Sequence, residues 1–443
     1  MSNPDPVHTT RRQFVGASLV ATAAIGSTAA RAQAMNVHAS GSDTLRVGLI
    51  GCGGRGSGAA SDSMQAVQDG SVHLVAVADV FEDRLNRAVK GLQTDFPKQV
   101  QIPDANRFIG FDAYQRLLET EIDLVILTTP PGFRPLHFEA AVNAGKHVFM
   151  EKPVAVDSNG VRRVLAANER AKQKNLLVQV GLQRHHESRY QETIQALQDG
   201  LIGDINFMRA YWNGDTPWVN PRREGQTELE YQLRNWYFFN WICGDHIVEQ
   251  HIHNLDVINW LKKGYPVKAQ GQGGRQVRTG IDHGEIYDHH MVEFTYADGS
   301  VLLSQCRHQP NTWNEVAEYA HGSKGVADIS GGVVRDLAGK EIFRSQGKGG
   351  GWGQEHVDLV AQLREGKIVN EGDYGALSTL TAIMGRVATY SGKIVEWDKL
   401  LNMDFSLANV DAMTTLDAEA PIQPDEQGRY EIAMPGKYFA DRL

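Results

Sequence analysis

The segment that most restricts the fold of this chain is a glycine-rich loop, Gly51–Gly56, with the sequence GCGGRG. It follows the apolar run Leu45–Ile50, which is typical of a buried parallel strand, and it precedes a predicted helix. Glycines at the G-x-G-x-x-G spacing allow a tight turn, bring the backbone close to a pyrophosphate and let the helix pack on the strand. A Rossmann domain is therefore predicted. Its expected dinucleotide contacts in the loop are Gly51, Gly53, Gly54, Arg55 and Gly56.

Asp79 ends the next predicted strand, about 20 residues beyond the loop, where such folds place an acidic residue. A carboxylate there accepts hydrogen bonds from the adenosine ribose and repels a 2′-phosphate, which favours NAD over NADP. Two alternatives stay open. Asp79 can serve as a helix N-cap, and Arg55 can attract a 2′-phosphate, which would favour NADP.

Strand-like and helix-like segments alternate along the first part of the chain, as expected for a doubly wound parallel sheet with right-handed crossovers. Further clear strands are predicted at Leu124–Leu127 and His147–Met150. Later runs at 205–212 and 291–296 are also strand-like, and Asp298-Gly299 after the second run is a hairpin signal. These later runs predict an antiparallel sheet in a second domain.

The predicted organisation has four parts. They are a signal and linker at 1–40, a dinucleotide-binding Rossmann domain at 41–155, an α/β domain for substrate binding and oligomerisation at 156–400, and a C-terminal tail at 401–443.

The first part of the chain reads as a twin-arginine export signal. Paired Arg11 and Arg12 precede a weakly apolar run, 17–30, and Ala30-Arg31-Ala32 has the small residues that a signal peptidase accepts. The alternative is a disordered tail. The run is shorter than the ~20 residues that span a bilayer, so no membrane span is expected. Because twin-arginine substrates cross already folded, we expect a periplasmic or otherwise exported protein that carries a tightly held cofactor.

Composition excludes some functions. The chain has 44 basic and 53 acidic residues and a net charge of −9, which argues against nucleic acid as a partner. Its three cysteines form neither a disulfide framework nor a zinc pattern. It also has sixteen histidines but no H-E-x-x-H motif, so no metal is predicted. The histidines considered for a metal site were His246, His251, His253, His283, His289 and His290.

The segment Ala144–Pro153, with the sequence AGKHVFMEKP, places Lys152 at the carboxyl end of a predicted strand. Ligands of open α/β sheets bind at that edge. Lys152 is therefore a candidate to hydrogen-bond a substrate hydroxyl and stabilise alkoxide charge. The alternative is a surface lysine beside a proline turn.

Together, the glycine loop, Thr129-Pro130 with His137 downstream, and the AGKHVxxEKP element resemble the Gfo/Idh/MocA oxidoreductase family, from about Leu45 to near Lys393. The resemblance implies a Rossmann domain followed by an α/β domain with a large, mostly antiparallel open sheet. It also implies sugar, inositol or related polyol substrates, with Lys152 as the catalytic lysine, and a homo-oligomer, either a dimer or a tetramer. The further cofactor contacts that it implies are Thr129, Pro130, His137, Glu151 and Lys152 itself.

A second element of the resemblance lies on a predicted continuous helix that starts at Asp245. Glu249, His253 and Asp256 share one face at a spacing of four and three residues. The family pattern here is Asp-x-Gly-x-His-x-x-Asp, and this chain has Glu249 and His251 in place of the first two. The resemblance implies that His253 relays protons with Lys152, that Glu249 orients the site and that Asp256 contacts substrate. The alternative is a solvated helix face.

Four tryptophans fall within 30 residues, and they are Trp212, Trp218, Trp236 and Trp241. Aromatic faces can form a sugar platform, with Trp212, Trp236 and nearby Arg184 as substrate contacts, or they can form core or a subunit interface. Three functions follow in order of preference. They are hydride transfer from a sugar or polyol to a tightly held NAD(P), a redox-neutral NAD-dependent glycosidase, and a non-catalytic sugar-binding protein.

Overall fold

Two sheets organise this computed structural model, which describes residues 44–438; the predicted export signal lies outside them. The strands of the first sheet are β1 (Leu45–Ile50), β2 (Val72–Asp79), β3 (Arg107–Ile109), β4 (Leu124–Leu127), β5 (His147–Met150) and β6 (Val178–Val180). Their order is β3-β2-β1-β4-β5-β6, with all neighbours parallel. The order reverses between β1 and β4, which is where a Rossmann sheet opens a ligand crevice.

Helices connect these strands and cover both faces of the sheet. They are α1 (Gly54–Gln65), α2 (Glu82–Asp95), α3 (Ala113–Leu118), α4 (Arg134–Asn143) and α5 (Ser158–Gln173). The strands are nearly continuous apolar runs because both of their faces are buried; β4 and β5 are buried throughout.

The second sheet has nine strands. They are β7 (Ile205–Gly214), β8 (Lys268–Gly274), β9 (His289–Thr295), β10 (Val301–His308), β11 (Glu315–Gly322), β12 (Gly325–Asp328), β13 (Val333–Asp336), β14 (Glu341–Arg344) and β15 (Val395–Glu396). Their order is β14-β13-β12-β11-β7-β10-β9-β8-β15. Only β7 and β10 pair in parallel. The predicted fold class is confirmed, and the Asp298-Gly299 turn joins β9 to β10.

The second part of the chain contains eight further helices among the described residues. They are α6 (Ser188–Gln198), α7 (Glu228–Arg234), α8 (Asn240–Cys243), α9 (His246–Glu249), α10 (Ile252–Lys262), α11 (Gly351–Arg364), α12 (Gly372–Ser391) and α13 (Trp397–Asn402). Helix α12 is buried along most of its length and packs on β8 and β9. Within residues 44–438, no helix is both long and apolar enough to cross a bilayer.

The two parts of the chain are more interleaved than the boundary at residue 155 implies. Strand β6 belongs to the first sheet, because α5 is the crossover that returns the chain to the edge of β5. Helix α11 also packs on the Rossmann side, where Leu359, Val360 and Leu363 join the core around β1 and β2.

The helix predicted to run on from Asp245 is interrupted, which corrects that part of the sequence analysis. Helix α9 ends at Glu249 and α10 begins at Ile252. Between them, His251 is buried and its Nε2 lies 2.7 Å from the Ser304 hydroxyl on β10. This polar contact accompanies the break, and helical spacing alone does not predict it.

Candidate active site

The glycine loop forms a cradle at the carboxyl end of β1. Gly51 has a φ of +99°, and a Cβ there would lie 2.6 Å from the backbone nitrogen of Thr129. A Cβ on Gly56 would lie 2.0 Å from the carbonyl oxygen of Gly51. A Cβ on Gly53 or Gly54 would meet no protein atom within 4 Å, so that side of the loop faces the open cleft.

Helix α1 starts at this loop without a side-chain cap. The first N–H groups of a helix lack partners within the helix and favour a bound anion. The loop therefore fits the pyrophosphate of a dinucleotide, because Gly51 and Gly56 have no room for a Cβ and Gly53 and Gly54 leave the cleft side open.

Asp79 ties the end of β2 to the glycine loop. Its Oδ2 accepts the Cys52 N–H at 2.7 Å, and its Oδ1 accepts the Phe81 N–H at 2.8 Å. Burial raises the pKa of this carboxyl, although the two N–H groups oppose the shift. Phe81 is the N-cap of α2, so Asp79 does not cap that helix. Asp79 lines the cleft, and each oxygen retains acceptor capacity for a ribose hydroxyl.

The cation beside Asp79 is Arg84 and not Arg55. Arg84 lines the same part of the cleft, and its charge acts on Asp79. Arg55 instead places Nε 2.6 Å from Glu151 Oε1, at the end of β5. The sequence analysis missed Arg84, although its position five residues after Asp79 could have indicated it.

The loop after β4 forms another wall of the cleft, through Thr129, Pro130 and His137. Thr129 Oγ1 lies 3.0 Å from His137 Nδ1. Burial, and then the charge of Arg134, lower the pKa of His137 to about 3, so its imidazole is neutral. Arg134 is itself buried and donates to the carbonyls of Leu127 and Thr129, which holds this loop in place.

Lys152 meets Glu249 inside the cleft. Lys152 Nζ lies 2.9 Å from Glu249 Oε1 and also donates to the Glu249 backbone carbonyl. The two side chains are only 11% and 13% exposed, so Lys152 is not a surface lysine. An ammonium has three N–H donors, which leaves one for a ligand in the cleft.

His253 lines the cleft beside this pair. Burial, and then the cationic charge of Lys152, hold the pKa of His253 well below its usual range. The neutral imidazole can accept a proton. Trp212 packs on it with ring centroids 5.9 Å apart and planes 24° apart. The direct partner of Lys152 among the described residues is Glu249, and His253 makes no hydrogen bond to Lys152 there.

A buried hydrogen-bond network sets the position of α9. Asp245 has a φ of +70°, which non-glycine residues rarely adopt, and it accepts the Tyr390 hydroxyl at 2.5 Å and the Tyr287 N–H at 2.9 Å. Its other oxygen lies 2.8 Å from His246 Nδ1. Glu249 follows one helical turn later, so this network holds the partner of Lys152 in place.

The same network contains a close grouping of metal-binding residue types within residues 44–438. Asp245, His246 and His290 place one ligand atom each within 4.8 Å of one another, and all three are buried. Both carboxylate oxygens of Asp245 have protein donors, whereas the buried Nε2 of His246 has no hydrogen-bond partner among the described residues.

The structure places Asp256, a predicted substrate contact, outside the cleft lining. Its side chain is 2% exposed and lies outside the cleft lining, with Oδ2 2.7 Å from His185 Nε2 and Oδ1 accepting the Ser378 hydroxyl at 2.7 Å. Helix α10 is buried on most sides, so a residue three positions after His253 turns towards α12 instead. Arg184 does line the cleft, and it also forms a buried ion pair with Glu318.

Of the four clustered tryptophans, three line the cleft, as a sugar platform would, and one is in the core. Trp212, Trp218 and Trp236 line the cleft, and the rings of Trp218 and Trp236 lie 5.9 Å apart. Trp241 is core, 1% exposed. Trp352, in the first turn of α11, is 58% exposed and also lines the cleft, and the sequence analysis missed it.

One cleft contains all of these groups and has a volume of about 1480 Å³. Small-molecule pockets are commonly about 300–1,000 Å³. The cleft is therefore large enough for a dinucleotide at the glycine loop together with a second ligand at Lys152 and His253.

Two family matches cover more than half of the chain. Residues 45–182 match the oxidoreductase family with an NAD-binding Rossmann fold. Residues 190–328 match the GFO/IDH/MocA C-terminal domain.

Similar proteins include enzymes named for inositols. The inositol 2-dehydrogenase of Klebsiella pneumoniae is 27% identical over 58% of this chain, and the match spans 66% of that enzyme, just under two thirds of its length. The scyllo-inositol 2-dehydrogenase (NADP(+)) of Bacillus subtilis is 29% identical over 48% of this chain and 52% of that enzyme.

A solved structure shares the fold. The scyllo-inositol dehydrogenase of Lactobacillus casei, with bound cofactor NAD(H) and scyllo-inositol, has a TM-score of 0.61 at 22% identity. The match covers 80% of this chain and 99% of that one.

Proposed function

This chain belongs to the Gfo/Idh/MocA oxidoreductase family, with its NAD-binding Rossmann fold, and on that premise we propose that it oxidises or reduces a sugar or polyol by hydride transfer. The observation that carries the proposal is the buried Lys152–Glu249 pair, which lies in the same cleft as the glycine loop. The relatives named as inositol dehydrogenases support a cyclic polyol or sugar as the substrate.

Each residue of the site has a distinct part in this reaction. The glycine loop and Asp79 hold the dinucleotide, whose nicotinamide supplies the hydride acceptor. Lys152 donates its remaining N–H to the substrate oxygen and stabilises the alkoxide charge that develops there. Glu249 holds the ammonium in place. His253 lines the cleft beside this pair and is the proposed acceptor of the hydroxyl proton. Trp212 and Trp236 give apolar surfaces on which a sugar ring packs.

The second candidate is a redox-neutral NAD-dependent glycosidase, which the size of the cleft and the extra walls at Trp218 and Trp352 favour. The purified protein would be given inositols and free sugars in one experiment and a nitrophenyl glycoside in the other. Reduction of nicotinamide without aglycone release supports the dehydrogenase, and aglycone release without added NAD supports the glycosidase. If the protein binds sugars but catalyses neither reaction, the result would support the third hypothesis, a non-catalytic sugar-binding protein.

Replacing Asp79 with alanine is expected to shift the preference from NAD towards NADP by roughly 10²-fold in kcat/KM, since it removes a charge that repels the 2′-phosphate while Arg84 remains. The ratio of kcat/KM for the two cofactors measures the effect. Asp104→Asn is the control, because Asp104 pairs with Arg107 and lies outside the cleft lining. An unchanged ratio in Asp79→Ala would exclude this role.

We also propose that the protein is a homo-oligomer that associates through the open face of the second sheet. On that face Arg209 stacks 4.6 Å from the Tyr319 ring centroid, and Tyr211 packs 5.5 Å from Trp313. Trp313 is 56% exposed, and an exposed aromatic surface of this kind favours association.

Trp313→Glu is expected to convert a dimer or tetramer to a smaller species in light scattering, because the carboxylate would be buried in the interface. Leu337→Glu, in the exposed turn after β13, is the control and should leave the mass unchanged. A wild-type monomer, or an unchanged mass in Trp313→Glu, would contradict the proposal.

Export by the twin-arginine route is a further proposal, which the Arg11-Arg12 pair and the following apolar run support. A fusion of residues 1–40 to a folded reporter should be exported from the cytoplasm. The same fusion with both Arg11→Lys and Arg12→Lys should stay in the cytoplasm. Equal localisation of the two fusions would count against this route.

A further inference from the structure

Part of the chain after α13 lines the cleft, and we name residues 403–416 the C-terminal strap. Four of its residues line the same cleft as the glycine loop and Lys152; they are Val410, Asp411, Met413 and Thr414. The tail predicted from the sequence is therefore part of the site.

One end of the strap is tied to helix α5 of the Rossmann domain. The Asn159 amide donates to Asp404 Oδ1 at 2.9 Å and to the Ser406 hydroxyl at 2.8 Å. The Leu407 N–H donates to Asp157 Oδ2 at 2.9 Å. These contacts hold the strap before it reaches the cleft.

At the cleft itself, the strap is held by a bidentate ion pair. Arg163 Nη1 and Nη2 lie 2.7 Å and 2.9 Å from the two oxygens of Asp411. A bidentate pair both stabilises the contact and fixes the relative orientation of the two side chains. The guanidinium also neutralises the one carboxylate that the strap brings to the cleft, so the strap can lie beside an anionic ligand.

The other end of the strap is tied to the second part of the chain. The Thr227 hydroxyl donates to the Leu416 carbonyl at 2.5 Å, next to the start of α7. Met413 is buried in a cluster that includes Phe81 and Phe133 of the Rossmann domain and Trp241 of α8. The strap therefore spans from one part of the fold to the other, across the cleft.

A second bridge closes the neighbouring side. Arg234 at the end of α7 lies 3.1 Å from Asp83 on α2, and its guanidinium sits 3.9 Å from the centroid of the Phe81 ring. A ligand at the end of β2 is thus enclosed by α7 on one side and faces the strap on the other.

We propose that the C-terminal strap is the outer wall of the dinucleotide site and that it slows cofactor release enough to make the dinucleotide a resident group. The inference rests on the proposed function in one respect only, that a dinucleotide binds in the cleft. Release requires the strap to move, and movement requires its ion pair and hydrogen bonds to α5 to break.

The test measures release of cofactor and not turnover. Protein loaded with isotopically labelled NAD is mixed with excess unlabelled NAD, and the label that remains bound is followed after rapid gel filtration. Arg163→Gln is expected to release the label about tenfold faster than wild type, because the strap loses a charge-assisted contact. Asn159→Ala, at the other tie, should also release it faster.

Arg170→Gln is the matched control. Arg163 and Arg170 both pair with Glu139, at 2.7 Å and 2.6 Å, but only Arg163 reaches Asp411. Arg170→Gln should therefore release label at the wild-type rate, and thermal melting checks that all variants are folded. If the folded Arg163→Gln and Asn159→Ala variants release the label at the wild-type rate, the proposal that the strap slows release is overturned, while the proposed function stands. A wild-type protein that binds no dinucleotide would overturn the proposed function and the strap together.

Discussion

Replacing Lys152 with alanine is expected to lower kcat by about 10²–10⁴-fold while leaving the dinucleotide bound. Lys152 is the residue whose ammonium can reach a substrate oxygen, and Glu249 already satisfies its other donors. The glycine loop, which is expected to hold the pyrophosphate, is separate from Lys152 in sequence. The measurement is kcat with saturating sugar and NAD, together with the stoichiometry of bound dinucleotide.

Two further variants separate chemistry from folding. Lys152→Ala leaves the Glu249 carboxylate without its partner, so a double Lys152→Met, Glu249→Gln variant, which removes both charges, checks that inactivity is not unfolding. Lys146→Ala is the positional control, since Lys146 Nζ donates only to the Thr120 and Ile122 carbonyls outside the cleft. Near wild-type kcat in a folded Lys152→Ala protein would rule out the mechanism.

Gly56→Ala should abolish dinucleotide binding and also destabilise the apoprotein. A Cβ there would lie 2.0 Å from the Gly51 carbonyl oxygen, and neither backbone segment can yield without shifting α1 from β1. Gly53→Ala should behave differently, because its Cβ meets no protein atom within 4 Å. It should fold normally and bind NAD at least about tenfold more weakly, since the methyl occupies space that the pyrophosphate needs.

Thermal melting of apoprotein and calorimetric titration with NAD separate these two effects. Gly353→Ala on α11 serves as a control, because its Cβ also meets no atom within 4 Å and it lies outside the cleft lining. It should leave NAD affinity unchanged and raise the unfolding free energy by about 0.5–1 kcal/mol, as expected for replacing glycine in a helix. Equal NAD affinity in Gly53→Ala and wild type would contradict the cradle.

The first sheet was predictable because its strands are buried on both faces. Leu45–Ile50, Leu124–Leu127 and His147–Met150 are short apolar runs bounded by turn residues, and the structure has strands with these bounds. Lys152 follows one of them directly, so the sequence places it at the edge of the sheet where ligands bind.

The course of the chain around His253 was not predictable in the same way. Spacing along one continuous helix placed Asp256 with Glu249 and His253, but the chain breaks after Glu249 and His251 reaches into the second sheet. That contact joins residues 53 positions apart, and such long-range partners leave no local signal.

The walls of the cleft that come from distant segments were also missed. Arg84, Trp352 and the C-terminal strap all line the cleft, yet none belongs to a recognisable motif. The strap belongs to the segment 401–443, which the sequence analysis predicted only as a C-terminal tail. Its partners on α5 and at Thr227 are more than 150 residues away in sequence.

The most direct test of the account is a single-turnover measurement on purified protein that contains one dinucleotide per chain. Inositols and sugars are added without free NAD, and the absorbance band of reduced nicotinamide is followed. We expect at least one of these compounds to reduce the bound cofactor in the wild type and not in Lys152→Ala. Protein that contains no dinucleotide and binds none, or that reduces it equally well without Lys152, would contradict the central claim that this cleft uses a dinucleotide through that lysine.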